Sequence, residues 1–540
     1  MSTKTYVESM GSVSHKKTPQ NEPIPGTTQV QNDAGGYTWE VDEWTDLDRF
    51  LILGTEGGTY YAGERALTRE SLLNVSRCLD LDGIRAVNRI IEISDAGRAP
   101  KNTPAIAALA MATAHNDLDT RKYALENLSK VCRIGTHLFQ FAKTVSKLRG
   151  WGRALSRGVA NWYQEKSADK LAYQAVKYQQ REGWSHRDLL RLTHPTPLDA
   201  DHNLLYAWIV DSKDLIKEDF EGWPESLKLV EGFELAKTAA TKKEIISLIN
   251  EYGLEREMIP TEFLKEPEVW EALLPNLKLT AIMRNLANIT RIGFLTPSSD
   301  VERTIRAKLT DPDLLKTSRV HPMNILIALL TYQAGQGLRG KNAWTPVARI
   351  TEALNDAFYA SFPNVEPTNK NILIGIDVSG SMGWPDLLDV PGLTPCMCAA
   401  AMSLVTANTE PNYEIMGFAH TFRSLGIHKG MSLNEALKRA HDNNFGRTNC
   451  SLPMQWAMKN NSKFDAFMVL TDNETWYGDI HPAQALQQYR NQTSIPAKLI
   501  VEAFAVNNFS IADPNDRGMM DVVGFDTAVP AIIHDFLMQA

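Results

Sequence analysis

At 540 residues the chain exceeds the size at which a single hydrophobic core stops growing, so two or more domains are expected. Its 43% hydrophobic and 22% charged residues are ordinary globular values, and a formal net charge of −8 excludes a chain that is basic throughout. That charge is unevenly spread: residues 121–200 carry 15 Lys/Arg against 6 Asp/Glu, whereas residues 371–540 carry 10 against 17. The first region suits a polyanion and the second a cation.

Residues 1–36 are rich in Ser, Thr, Gln, Asn, Pro and Gly and read as a flexible tail. The polar start (Ser2, Thr3, Lys4, Thr5) has no apolar run behind it, so no secretory signal is expected. Apolar stretches such as Ala105 to Ala112 fall short of the roughly 20 residues a membrane span needs. The five cysteines, Cys78, Cys132, Cys396, Cys398 and Cys450, form neither an even disulfide framework nor a zinc ligand set. They read as reduced thiols, and the protein as cytoplasmic.

From 37 to 365 the chain is a succession of amphipathic helical segments. The spacing predicts helices over Glu70–Leu79, Ile84–Ile93, Thr103–Thr113, Thr120–Ser129, Thr136–Leu148, Trp151–Gln164 and Ala168–Arg181. Others are expected over Ser185–Leu192, Thr241–Tyr252 and Val320–Ala334. Asn102-Thr103-Pro104 and Ser185 fit helix starts, and Gly150 and Gly183 fit stops. Many modest helices without strand patterning suggest an α-solenoid, although no clean sequence period recurs.

Within this region Lys166, Lys170, Lys177 and Arg181 follow one another at steps of four, seven and four, which predicts one cationic helix face. Upstream, Arg149, Arg153 and Arg157 recur at steps of four; downstream, His186, Arg187, Arg191 and His194 crowd together. A solvated charged face is the plain alternative for any one stripe. Three in succession with few acids favour polyanion binding, which would be strongly salt-dependent. Trp162, Tyr163, Tyr173, Tyr178 and Trp184 lie among them, as core residues more readily than as stacking platforms.

The pattern changes after the linker Phe362-Pro-Asn-Val-Glu-Pro367, and 366–540 alternates strands with helices. Strands are predicted at Ile372–Ile376, Tyr413–Ala419, Ala466–Leu470, Lys498–Ala505 and Asp521–Gly524. Helices are predicted at Pro395–Ala407, Leu433–Asp442, Leu452–Asn460, Pro482–Arg490 and Ala531–Met538. This is the alternation of a doubly wound, Rossmann-like α/β domain. The strand from Ile372 runs straight into Asp377-x-Ser379-x-Ser381, three hard oxygen donors where an open α/β sheet places its binding crevice. Another strand ends at Asp472, and a turn at 445–450 offers the Thr448 hydroxyl. Such a set suits Mg²⁺, which prefers octahedral oxygen coordination at about 2.1 Å.

Asp377, Ser379, Ser381, Thr448 and Asp472 together resemble the metal-ion-dependent adhesion site of von Willebrand factor A (vWA) domains. Gly446-Arg-Thr-Asn-Cys-Ser-Leu-Pro-Met454 and Leu470-Thr-Asp-Asn-Glu-Thr475 resemble segments of the Ro 60 kDa autoantigen family, whose members carry a TROVE module. The helical region is similar at Leu53–Tyr61, Cys132–Phe139, Trp151–Leu155, Lys177–His194, His321–Leu329 and Tyr332–Gly340. Two departures stand out: Arg447 where the family usually has Gly, and Asn449 where it usually has Asp. A guanidinium there opposes a cation, and a lost carboxylate removes some attraction.

The resemblance implies a multidomain protein, an all-α ring of HEAT-like repeats closed by an α/β vWA-like domain. It implies a small noncoding Y-like RNA on the basic outer surface and misfolded or single-stranded RNA ends in the central opening. It carries RNA contact to Lys170, Lys177, Arg181, His186 and Arg187. Arg149, Arg153, Lys166 and Arg191 join them as candidates from the basic stripes. The expected protein is a monomeric, non-catalytic scaffold, with an exoribonuclease as a candidate partner. The competing reading is a metal-dependent protein-interaction scaffold in which the cation's open position takes an acidic side chain. A nuclease fits less well, because one hydroxyl-rich site lacks an evident general base or second metal.

Overall fold

The computed structural model describes residues 17–40, 42–53, 69–99, 101–211, 222–318, 320, 322–336, 343–361, 367–383, 393–441, 447–472, 475–504, 509–523 and 529–538. The linker at 362–366, residues 54–61 and 337–340 of the resemblance segments, and turn residues 445–446 lie outside them, as do Asp442, Asn473, Glu474, Ala505 and Gly524.

The helical region forms as expected, with informative shifts. The two helices expected at 70–79 and 84–93 are one run, Arg69–Ala96, broken at Asp82 (φ −157°, ψ 91°). The Asp82 carboxylate accepts from the Arg85 amide at 2.9 Å, so it caps the second half. Helices Gly135–Leu148, Arg153–Gln164 and Lys242–Tyr252 follow within two residues of their expected bounds. Ser185 caps His186–Thr193 through a capping box with Asp188. Helix Ala168–Lys177, however, ends four residues earlier than its pattern. Strands β3 (Gln180–Arg181) and β4 (Trp184–Ser185) pair antiparallel around Glu182 (φ 57°) and Gly183 (φ 81°). Positive φ at both turn residues is the tight hairpin geometry that glycine permits.

A six-stranded sheet carries the C-terminal domain. In chain order it contains β5 (Ile372–Asp377), β6 (Tyr413–Phe418), β7 (Phe422–Ser424), β8 (Ala466–Thr471), β9 (Lys498–Ala503) and β11 (Met519–Val523). The spatial order is β11-β9-β8-β5-β6-β7, parallel except for the edge strand β7. Every residue of β5, β8 and β9 is buried, as parallel strands covered on both faces require. Alternation divides the apolar load. Ile372, Ile374 and Ile376 join one core with helix Pro395–Thr409, while Leu373, Phe467, Val469 and Val501 join the other with helix Pro482–Thr493.

The expectation of a flexible tail is corrected for residues 17–36. Strands β1 (Val30–Gln31) and β2 (Tyr37–Glu40) form a hairpin, and β2 also pairs with β10 (Phe509–Ser510). Ile24 and Trp39 are buried in the second core of the α/β domain, so two apolar anchors fix a polar segment. Residues 1–16 are outside the described residues.

The α/β domain touches both ends of the helical series. At the start, the buried Arg49 guanidinium of helix Glu43–Leu53 donates to Asp521 at 2.8 Å and to the Phe509 carbonyl at 3.1 Å. At the end, the Tyr359 hydroxyl of helix Ala348–Ala360 reaches the Met431 carbonyl at 3.5 Å. The helical path is thereby closed on itself through the sheet domain.

Candidate metal centre and basic surface

Strand β5 leads one way to β6 and the other way to β8, which makes its C-terminal end the switch point of the sheet. Asp377 is the last residue of β5, and Asp472 follows the last residue of β8. Thr471 donates from Oγ1 to Asp377 Oδ2 at 2.9 Å, and the Ser379 amide donates to Asp377 Oδ1 at 2.9 Å. The hydroxyls of Ser379 and Ser381 lie 2.9 Å apart. Thr448 belongs to the loop whose next amide, that of Asn449, donates to the Ala419 carbonyl beyond β6. All five candidate ligands, Asp377, Ser379, Ser381, Thr448 and Asp472, are buried.

Burial pushes the Asp377 carboxyl up to about 7, and the negative charge of Asp472 adds to the rise against the hydrogen bonds from Ser379 and Thr471. The same carboxylates act on Cys450, whose thiol is raised well above its ordinary value by burial, then by Asp377 and Asp472. Loop 448–450 therefore flanks both acids. Two carboxylates held in a buried site with three hydroxyls repel each other when both are ionised, and a cation or a proton would relieve that repulsion. This all-oxygen donor set fits Mg²⁺. Among the described residues no group of three or more His, Cys, Asp or Glu is placed to hold a metal ion, so any cation here would draw on hydroxyl oxygens as well as the two carboxylates. Residues that sequence reasoning missed are Thr471, which orients Asp377, and Cys450. The dipeptide Thr471-Asp472 was the available signal.

The two departures from the family pattern take specific positions. The Arg447 guanidinium lies over the rings of Tyr477 (4.9 Å) and Trp476 (5.8 Å). Asn449 is buried, and its Oδ1 accepts from Gln20 Nε2 at 2.7 Å and Ser451 Oγ at 2.6 Å.

The single cationic helix face is corrected. Lys166 lies between helices, Lys170 and Lys177 on helix Ala168–Lys177, and Arg181 on β3. Four of the candidate cations or imidazoles are engaged inside the protein. The Lys166 ammonium sits 3.6 Å over the Trp162 ring and donates to the Trp162 carbonyl, and burial pushes its pKa down to about 8. Lys177 pairs with Glu255 and donates to Tyr173 Oη at 2.8 Å, its side chain only 12% exposed. Burial opposes that charge, yet the bonds to Glu255 and Tyr173 hold its pKa above the ordinary lysine value. Arg149 donates to the Thr113 carbonyl near the end of helix Thr103–Ala114.

His186 is buried against Phe139, Trp162 and Tyr163, with Nδ1 2.9 Å from Tyr163 Oη. It is a packing residue, not a surface contact. His194, in a left-handed conformation, ends helix His186–Thr193. Burial pushes the His186 pKa down from 6.5 to about 4. The unfolded chain thus takes up a proton near pH 6.5 that the native protein refuses until about pH 4. This contribution is full above pH 6.5 and falls by about 1.4 kcal/mol per pH unit across that window. His137, also pushed down to about 4 by burial, adds a fall of the same sign. His186→Gln is expected to halve the loss of urea stability between pH 6.5 and 4.5 that these two histidines cause. An unchanged pH dependence in the variant would contradict this assignment.

Arg153, Lys170, Arg181, Arg187 and Arg191 are exposed, as are Lys147 and Arg157. Arg181 is 60% exposed, with Glu182 3.9 Å away. The basic surface is therefore spread over consecutive elements from helix Gly135–Leu148 to helix His186–Thr193. The rings of Trp151 and Trp184 pair at 5.6 Å within it. Among the described residues no helix is long and apolar enough to cross a membrane.

Residues 30–331 match the TROVE domain model, and residues 371–537 match the Ro60 vWA domain model. The chain is 43% identical over 521 residues to the RNA-binding protein RO60 of Deinococcus radiodurans, covering 96% of this chain and 97% of that protein. It is 33% identical over 599 residues to the RNA-binding protein RO60 of Caenorhabditis elegans, covering 97% and 92%. The crystal structure of the Deinococcus radiodurans RO (RSR) protein superposes with a TM-score of 0.71 at 42% identity, covering 92% of this chain and 99% of that one. With a helical TROVE module closed by a sheet domain of this topology, the chain belongs to the Ro60 family.

Proposed function

We propose that this protein is a non-catalytic RNA-binding scaffold. It holds a small, structured, Y-like noncoding RNA on the basic surface between Lys147 and Arg191. It engages misfolded or single-stranded RNA ends at the central opening of the ring. The observation that carries this reading is the run of exposed cations, Lys147, Arg153, Arg157, Lys170, Arg181, Arg187 and Arg191, on consecutive elements of the TROVE module. Such a surface neutralises phosphates without reading sequence, which suits recognition of RNA by shape. Relatives named as RNA-binding proteins over nearly the whole chain support the same reading. The role we assign is RNA quality control or processing in the cytoplasm, by a monomer that presents captured ends to an exoribonuclease.

We further assign the Asp377–Asp472 site to a resident divalent cation, Mg²⁺ by its donor set. Asp377 and Asp472 supply the charge, and Ser379, Ser381 and Thr448 the neutral oxygens. A cation held by these residues would supply positive charge for an acidic side chain of a protein partner. This second activity, a metal-dependent docking module, is compatible with the first. The deciding experiment for the main reading is crosslinking and sequencing of RNA that co-purifies with the native protein. A small set of structured noncoding RNAs is the expected yield. Recovery of no RNA above that bound by an equally acidic control protein would sink the RNA reading and leave the docking module.

A further inference from the structure

We propose that the N-terminal strap is a latch for the metal centre: Gln20 positions the two loops that carry Thr448 and Asp472, so cation binding and strap docking are coupled. The inference rests on reading that centre as a cation site.

Gln20 is fully buried, and the α/β domain satisfies its side-chain amide at both ends. Its Nε2 donates to Asn449 Oδ1 at 2.7 Å and to the Ile480 carbonyl at 2.9 Å. Its Oε1 accepts from Thr475 Oγ1. Asn449 is the residue after Thr448, and Thr475 lies three beyond Asp472. One amide therefore grips both loops.

The loops also hold each other. The Trp476 and Tyr477 amides donate to the Thr448 carbonyl at 3.3 and 3.1 Å, and the Cys450 amide reaches Thr475 Oγ1 at 3.3 Å. A second part of the strap grips the same place. Asn32 Nδ2 donates to the Thr475 carbonyl at 2.8 Å. Gly36 packs so closely that a Cβ there would stand 2.0 Å from the Thr475 carbonyl oxygen. The strap's backbone adds to this hold: the Gln20 backbone amide donates to the Gly478 carbonyl on the same loop, and the Tyr37 amide ties the strap to itself at the Gln20 carbonyl.

Groups that orient ligand-bearing loops set metal affinity nearly as strongly as the ligands themselves. Removing the Gln20 amide leaves the Ile480 carbonyl and the Thr475 hydroxyl without their partner and frees the two loops to drift apart. Linkage makes the effect reciprocal: if the docked strap raises affinity for the cation, the cation must hold the strap docked by the same factor. Because β2 continues into helix Glu43–Leu53, the latch also joins the centre to the first helix of the ring.

The test uses the full chain and Mg²⁺ itself, titrated calorimetrically into the parent, Asp377→Ala, Gln20→Ala and Asn285→Ala. Asn285 serves as the control because its buried amide bonds the Ala281 carbonyl of its own helix, Leu279–Arg291, in the helical module. Mg²⁺ is expected to bind the parent but not Asp377→Ala. Gln20→Ala should bind about tenfold more weakly or worse, and Asn285→Ala as the parent does. In the parent, Mg²⁺ should slow hydrogen exchange at the Gln20 and Tyr37 amides, an effect absent from Asp377→Ala. That measurement decides the matter even if Gln20→Ala fails to fold. Equal affinity in Gln20→Ala and parent, or strap exchange indifferent to Mg²⁺, overturns the latch and leaves the cation site standing. Failure of the parent to bind Mg²⁺ overturns both.

Discussion

Arg153→Ala, Lys170→Ala and Arg181→Ala combined are expected to weaken binding of a structured RNA on the order of 100-fold at about 0.15 M salt. All three side chains are exposed, so the substitutions leave the core untouched. Each lost phosphate contact removes roughly 0.7 to 0.9 from the slope of log affinity against log salt, so the variant's slope should be shallower by about two to three. Near 1 M salt the two proteins should converge. Filter binding across a salt series gives both quantities at once. Lys177→Ala is the informative contrast. It leaves Glu255, 17% exposed, with the Tyr173 hydroxyl at 2.9 Å and the looser Lys278 at 3.6 Å, and is expected to cost about 1–3 kcal/mol of stability without changing the salt slope. A triple variant that binds like the parent at every salt concentration would remove the basic surface from the RNA site.

That contrast between Lys170 and Lys177 marks where sequence reading stopped. The sheet was legible because Ile372–Ile376, Ala466–Leu470 and Lys498–Ala505 announce themselves within five to eight residues, and a strand end fixes where the next side chain points. The five oxygen donors followed from the same local logic. The fate of a lysine does not. Lys177 is consumed by a glutamate 78 positions away, a distance across which no helical periodicity carries information. His186 likewise disappears among Phe139, Trp162 and Tyr163, which come from two other helices. Gly183 fits a helix stop in the sequence, but the amphipathic pattern from Ala168 to Arg181 hides the hairpin that ends the helix at Lys177.

The strap shows the opposite failure. Low hydrophobicity and abundant Gln, Asn and Thr describe a segment that cannot fold alone, and it does not fold alone. It borrows order from a surface more than 400 residues distant, through Gln20 on Asn449, Asn32 on Thr475 and the two anchors Ile24 and Trp39. Composition predicts the absence of a private core. It is silent on whether a docking surface exists elsewhere in the chain.

Asp377→Asn is expected to abolish the response to Mg²⁺ while leaving the cation-free protein at least as stable as the parent above pH 7. The carboxylate's hydrogen bonds survive the change: the amide oxygen accepts from Ser379 N, and the amide nitrogen donates to Thr471 Oγ1. What is removed is the repulsion with Asp472, which together with burial lifts the Asp377 carboxyl from 3.8 to about 7. A folded-state pKa raised in this way stabilises the native protein at acid pH and is lost as pH rises from about 3.8 through 7. The parent without metal should therefore weaken over that window, and the variant should not. Mg²⁺ at about one hundred times its dissociation constant should stabilise the parent by about 2.7 kcal/mol, most visibly above pH 7, where no proton competes for the site. Thermal melts at pH 6 and pH 8, with Mg²⁺ or EDTA, separate these terms. If parent and variant respond alike to Mg²⁺, the cation sits elsewhere; if neither responds, these carboxylates hold no metal.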